Sequence, residues 1–160
     1  MMALSYSSIA ALACSMAICF TVAFIGARVT TPEIPTWYAS LAKPSWTPPR
    51  IAFPVVWPIL YFLMALAAWM LWEAPSSPYR NAALVALAVQ LSLNAVWSPI
   101  FFGRHDVRSG MIVISALVVA IGITILIALQ VDRTAAVLLV PYFAWILFAT
   151  ALNARILALN

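Results

Sequence analysis

WYASLAKPSWTPPRIAFPVVWPILY, residues 37–61, decides how the rest of the chain reads. Its first half sets Pro44, Pro48 and Pro49 around Trp37 and Trp46. Proline fixes φ, removes a backbone donor and pushes the residue before it away from helix. Residues 37–50 therefore read as an extended, stiff loop. The second half runs into a long apolar segment that carries Pro54 and Pro58, with Trp57 between them. A rigid aromatic loop feeding a proline-bent helix is an arrangement suited to covering a site.

The composition names the solvent. Of 160 residues, 66% are hydrophobic and 8% charged, and the mean hydropathy is +1.08. A soluble domain carries about 25% charged residues, so this chain needs a bilayer around it. Five segments have the ~20 apolar residues a helical crossing requires, at about 7–27, 51–73, 81–102, 109–130 and 134–157. Every Lys, Arg, Asp and Glu falls in a connector or at a segment end, as the cost of a charge in hydrocarbon demands. A β-barrel would show short alternating segments instead. The expected fold is an all-α integral membrane protein, one five-transmembrane-helix bundle over residues 1–160 with a lid loop at 28–50. The opening residues MMALSY carry no basic residue and no A-x-A-like site follows, so the first segment reads as a retained span.

Net charge is +4, but the basic residues are scattered one to three per connector, which suits orientation rather than nucleic acid. Arg28, Lys43, Arg50, Arg104, Arg108 and Arg155 fall on one side of the membrane; Arg80 and Arg133 fall on the other. That asymmetry predicts a cytoplasmic first loop and C-terminus, with the N-terminus outside. Connectors after the second and fourth spans are short, so their flanking helices are expected as antiparallel neighbours. Cys14 and Cys19, five positions apart on different helical faces, read as packing residues.

Three spans carry polar and aromatic residues at face-sharing spacing. Trp57, Tyr61 and Met64 share a face of the second; Gln90, Asn94, Trp97 and Phe101 form a stripe on the third. Tyr142, Trp145, Ala149 and Leu152 or Asn153 form another on the fifth. Trp69, Trp72 and Tyr79 read as interfacial anchors, an account that fails for Trp145, deep in its segment. Gln90 and Asn94 either hydrogen-bond a neighbouring helix or face a polar ligand, and the sequence does not choose. The polarity of the spans puts Trp57, Trp97 and Phe101 in the same half of the membrane, beneath the proline-tryptophan loop. Such walls suit a flat hydrophobic ligand that stacks on indole rings. Arg28, Lys43 and Arg50 at the mouth would pair with ligand carboxylates, although orientation alone also explains them. No mid-span charge offers a proton relay, no catalytic or nucleotide motif is present, and the lone His105 reads as solvated rather than metal-bound.

These residues resemble the translocator protein family, the tryptophan-rich sensory proteins also called peripheral-type benzodiazepine receptors. WYASLAKPSWTPP (37–49) with PVVWPILY (54–61) looks like the family's first loop and second helix, QLSLNAVWSPIFFG (90–103) like its third, and LLVPYFAWILFATALN (138–153) like its fifth. The resemblance implies binding of porphyrins such as protoporphyrin IX or related tetrapyrroles, of benzodiazepine-type drugs, or of sterols, in a pocket inside the bundle. By motif position Trp57, Asn94, Trp97, Phe101, Trp145, Ala149 and Leu152 would line it, with Tyr61 beside Trp57 and Trp46 in the lid. It further implies a sensor, transporter or regulator of tetrapyrrole levels, without a metal or a required cofactor, in a bacterial envelope or mitochondrial outer membrane. Some bacterial relatives degrade bound porphyrin in light through tryptophans matching Trp57 and Trp145, which would make these two the catalytic residues. A homodimer is implied too, and Ala82, Ala83 and Ala86 offer small side chains for helix approach. A lipid or sterol carrier, or a membrane scaffold, is the alternative. The tyrosine of the animal cholesterol pattern is absent, Ala154 following Asn153 directly before Arg155, which weakens the sterol version. RHDVRSG (104–110) also departs from the animal pattern.

Overall fold

A computed structural model describes residues 5–160; residues 1–4, part of the opening MMALSY run, lie outside the described residues. The described residues form helices and connectors without a strand. These are α1 (Tyr6–Glu33), a single turn α2 (Trp37–Ser40), α3 (Ala52–Glu73), α4 (Pro78–Ser98) continuing into a π-helical turn at Pro99–Gly103, α5 (Val107–Ala128) and α6 (Arg133–Leu159). Five are long and apolar enough to cross a membrane, with α4 and its π turn counted as one 26-residue span.

Local chemistry sets where they start. Ser5, Ser77, Asp106 and Asp132 each accept a hydrogen bond from the backbone N–H three residues on, capping α1, α4, α5 and α6. Pro78 sits at the first position of α4, where its missing N–H costs no intrahelical bond. Ser109 holds the Asp106 carboxyl below its ordinary value, through its hydroxyl first and its backbone N–H second.

Two expectations about the first connector are corrected. α1 runs on to Glu33 with Pro32 inside its last turn, so Arg28 and Thr30 are helical and the connector begins at residue 34. Nor are residues 37–50 extended throughout, because residues 37–40 wind into α2. Lys43 Nζ explains that turn: it donates to the carbonyls of Tyr38 (2.6 Å), Leu41 (2.7 Å) and Ala39 (3.2 Å), satisfying acceptors a short helix leaves open. Burial and the nearby Arg50 charge hold Lys43 below the usual lysine value. It is a structural cap here, already occupied.

Around the bundle the helices run α1, α3, α6, α5, α4 and back to α1. α5 and α6, joined by a short connector, pack side by side as expected, whereas α3 and α4 touch only sparingly despite theirs. α3 leans instead on α1 and α6. Linker length permits adjacency, but α1 packs against both α3 and α4 and stands between them in the ring. Ala83 of α4 is fully buried inside the chain, which removes it from the outer surface that a partner helix would touch.

At one end the connectors are stitched together. Asn160 grips Ala42 through two amide hydrogen bonds of 3.0 Å, and His105 bonds Glu33 at 2.9 Å and stacks on Trp37. The first connector, the α4–α5 connector and the end of α6 therefore share a face, which carries six of the eight basic residues.

Candidate functional site

Beneath this basic end the ring of helices encloses a cavity of about 50 Å³. Three indoles stand in its wall: Trp57 from α3, Trp97 from α4 and Trp145 from α6. Asn94, Ala149 and Leu152 join them; Ile114 and Leu117 of α5 close one side, and Pro48 reaches in from the first connector. Trp57 and Trp97 lie within about two turns of the basic end of their spans, whereas Trp145 lies midway along α6.

The rings contact one another edge to face. Trp57 and Trp145 have centroids 6.5 Å apart at 84°, and Phe53 meets Trp145 at 6.2 Å and 80°. Such contacts add about 0.5–1.5 kcal/mol each beyond area burial. Phe148, one turn past Trp145, is also in the wall and carries the edge of Trp46 at 5.7 Å. Trp46 is thus a half-exposed cover resting on the wall, outside the cavity itself.

A polar network lies behind the indoles. Tyr61 Oη donates to Asn94 Oδ1 (2.8 Å), and Asn94 Nδ2 donates to Tyr142 Oη (2.5 Å). All three residues are buried and come from α3, α4 and α6, so the network spans the ring where α3 and α4 scarcely pack. It resolves the choice left open for Asn94: its amide is committed to neighbouring helices, although its side chain still borders the cavity. Gln90, deeper in α4, donates to Met64 Sδ at 3.4 Å. Tyr61 stacks behind Trp57 at 5.5 Å but does not reach the wall.

Phe101 also lies outside the wall, and the π turn explains why. Pro99 cannot donate a backbone bond, and Arg104 N reaches back five residues to Pro99 O at 3.0 Å. The extra residue in the turn rotates the side chains beyond it, so spacing assumed for an α-helix no longer holds. Phe101 turns into a second cluster with Trp37, Tyr38 and Phe102, although it still stacks on Trp97 at 5.0 Å. Phe102 takes the wall position instead.

Sequence spacing overlooked Thr30, Pro48, Phe53, Ser98, Phe102, Ile114, Leu117, Ile146 and Phe148. Phe53 and Phe148 lie four residues before Trp57 and three after Trp145, so extending those stripes finds them; Thr30 carried no signal while it was read as loop. Arg28, Lys43 and Arg50 are not in the wall. Arg28 lies over the Phe24 ring at 5.9 Å. Among the described residues the cavity holds no carboxylate, amine or imidazole, and no group of His, Cys, Asp and Glu is placed to hold a metal. Its one uncommitted buried donor is the Trp97 indole N–H.

Comparison with known proteins agrees with this architecture. The model of the TspO/MBR family matches residues 15–159. A tryptophan-rich protein TspO from Chlorobaculum tepidum is 39% identical over 150 residues, covering 93% of this chain and 95% of that one. A tryptophan-rich sensory protein from Cereibacter sphaeroides is 38% identical, covering 91% and 88%. The human translocator protein is 37% identical, covering 81% and 78%.

Proposed function

The chain belongs to the TspO/MBR family, and we propose that it binds a porphyrin or related tetrapyrrole between the indoles of Trp57, Trp97 and Trp145. The carrying observation is that three tryptophans from three helices converge on one internal cavity beneath a proline-rich connector. Planar aromatic walls with one fully buried unpaired donor, the Trp97 indole N–H, favour a flat, largely apolar guest bearing an acceptor. Ligand sites of this kind usually measure about 300–1,000 Å³, against about 50 Å³ here. Binding therefore includes an opening step. Residues 44–51, which lie beyond the Lys43 cap and the Asn160 clamp, swing away with Trp46 and Pro48, and the edge-on rings turn to face the macrocycle. In this reading the basic end faces the cytoplasm, and the protein senses or carries tetrapyrroles; the drug and sterol ligands of the family are secondary guests.

Titration of the purified full chain with protoporphyrin IX in detergent and darkness tests this, read by the shift of the porphyrin absorption band. A saturable, one-to-one shift is expected, and a sterol should displace little of it. Complete displacement by sterol at matched concentration would favour the carrier reading instead.

The contact between Trp57 and Trp145 favours a second activity, light-dependent oxidation of the bound porphyrin. The excited macrocycle exchanges an electron with an indole, and molecular oxygen is the terminal oxidant that opens the ring.

A further inference from the structure

RHDVRSG, the segment in which the sequence departs from the animal pattern, shapes a second and separate recess. It opens at the basic end with a volume of about 550 Å³, bordered by Arg104, His105, Arg108, Trp37 and Asn160. That volume falls in the ordinary range for ligand sites, about 300–1,000 Å³. We propose that this recess seats a phosphate group, specifically the headgroup of an acidic phospholipid.

Three observations carry the assignment. Among the described residues the sole ion pair is His105 with Glu33, so Arg104 and Arg108 face the recess with no carboxylate bonded to them. The one acidic side chain in the recess, Asp106, accepts from Ser109 N at 2.9 Å as the α5 cap. Asp106 keeps its charge and feels Arg104, so the side chains of the recess set two guanidinium charges against one carboxylate; the helix end itself is not the site. Finally, His105 is the only described non-glycine residue with positive φ, at 55°. Asymmetric packing holds it there: its ring lies flat on Trp37 (4.4 Å, 11°) while Nε2 meets Glu33 at 2.9 Å. This fixes the loop between the two arginines, and a strained backbone that packing over-determines is a mark of a built site.

The source follows from position. The recess lies where the spans leave the bilayer, at the end whose basic excess predicts the cytoplasmic leaflet, and that leaflet holds the anionic lipids. Arginine pairs with phosphate through two parallel donors, which a diffuse attraction does not need. Trp37 and Leu41 border both this recess and the root of the first connector, so an occupied headgroup would brace the base of the moving segment.

The test uses the full chain in detergent, with thermal unfolding midpoint as readout. Short-chain phosphatidylglycerol, short-chain phosphatidylcholine and inorganic phosphate are titrated against wild type, Arg104→Ala/Arg108→Ala, Arg104→Lys/Arg108→Lys and Arg155→Ala. Saturable stabilisation by phosphatidylglycerol is expected, with little from phosphatidylcholine. The double alanine variant should need roughly thirtyfold more lipid, about fivefold per arginine. The lysine pair should fall between the two, and Arg155→Ala, exposed at the same end but outside the recess, should match wild type. Equal weakening by Arg155→Ala would reduce the effect to general surface charge and overturn the site. Saturation by millimolar inorganic phosphate with the same arginine dependence would overturn the lipid assignment. An alanine variant that unfolds before any ligand is added is replaced by the lysine pair, where an unchanged midpoint shift overturns bidentate recognition.

Discussion

Trp57 of α3 and Trp145 of α6 meet edge to face across the cavity, centroids 6.5 Å apart and planes at 84°. A planar guest enters between them only if at least one turns. This relationship links the small enclosed volume to the proposed activity. Replacing either by alanine should weaken porphyrin binding by about 1–2 kcal/mol, on the order of tenfold, through lost ring contact. Trp57→Phe and Trp145→Phe keep a ring, so dark binding should persist within a few-fold. Under illumination with oxygen both should lose porphyrin turnover, measured as bleaching of the absorption band. Equal bleaching by wild type, variants and free porphyrin would reduce the chemistry to photosensitised damage.

Asn94 holds two tyrosines from two other helices, so Asn94→Leu should leave both Tyr61 and Tyr142 hydroxyls unpaired. Interhelical hydrogen bonds in membranes average about 0.6 kcal/mol and reach about 1.7. A loss of roughly 1–3 kcal/mol is expected in detergent unfolding. Tyr61→Phe, which removes one donor and leaves the Tyr142 bond in place, should cost less than half as much.

Gly110 stands where α5 meets the π turn. A Cβ there would lie 2.9 Å from Phe101 Cδ2 and 3.3 Å from its Cβ. Gly110→Ala should destabilise by about 1–3 kcal/mol through overpacking, less any gain in helix propensity. Gly122→Ala, with its nearest neighbour at 3.9 Å, should be neutral or stabilising by up to about 1 kcal/mol. Similar midpoints for the two variants would show that Phe101 can yield.

Much of the bundle was legible because hydrocarbon imposes few choices. Length, apolarity and the exclusion of charge to segment ends locate five spans; Trp57 and Trp97 follow from depth and polarity, and Trp145 from the family resemblance. What escaped depends on contacts between distant residues. The order of helices around the ring is set by packing between segments far apart in sequence, and Lys43 winds α2 by filling carbonyls within its own loop. The Phe101 position failed for a local reason. Stripe arithmetic assumes 3.6 residues per turn, and Pro99 imposes a wider one. Asn94 illustrates a third limit, since spacing showed its face but not the two hydroxyls waiting on other helices.

Asp106 supplies a pH test outside the membrane. Its folded pKa is depressed, chiefly by the Ser109 hydroxyl and then by its backbone N–H, so its stabilisation is complete above the unfolded value of about 3.9 and is lost as pH falls through the lower folded value. Asp106→Asn caps about as well and does not titrate. The variant should match wild type at pH 7 and show a shallower loss of stability below about pH 4. Parallel acid limbs for the two proteins would assign that loss to another group.

The most direct test of the indole pocket is a dark titration with protoporphyrin IX, following tryptophan emission in wild type and in Trp57→Ala/Trp145→Ala. Wild type should show saturable one-to-one quenching, and the double variant should require at least about tenfold more porphyrin while remaining folded. Quenching that rises linearly without saturation, and equally in both proteins, would mean the porphyrin dissolves in the detergent and that these tryptophans do not form its site.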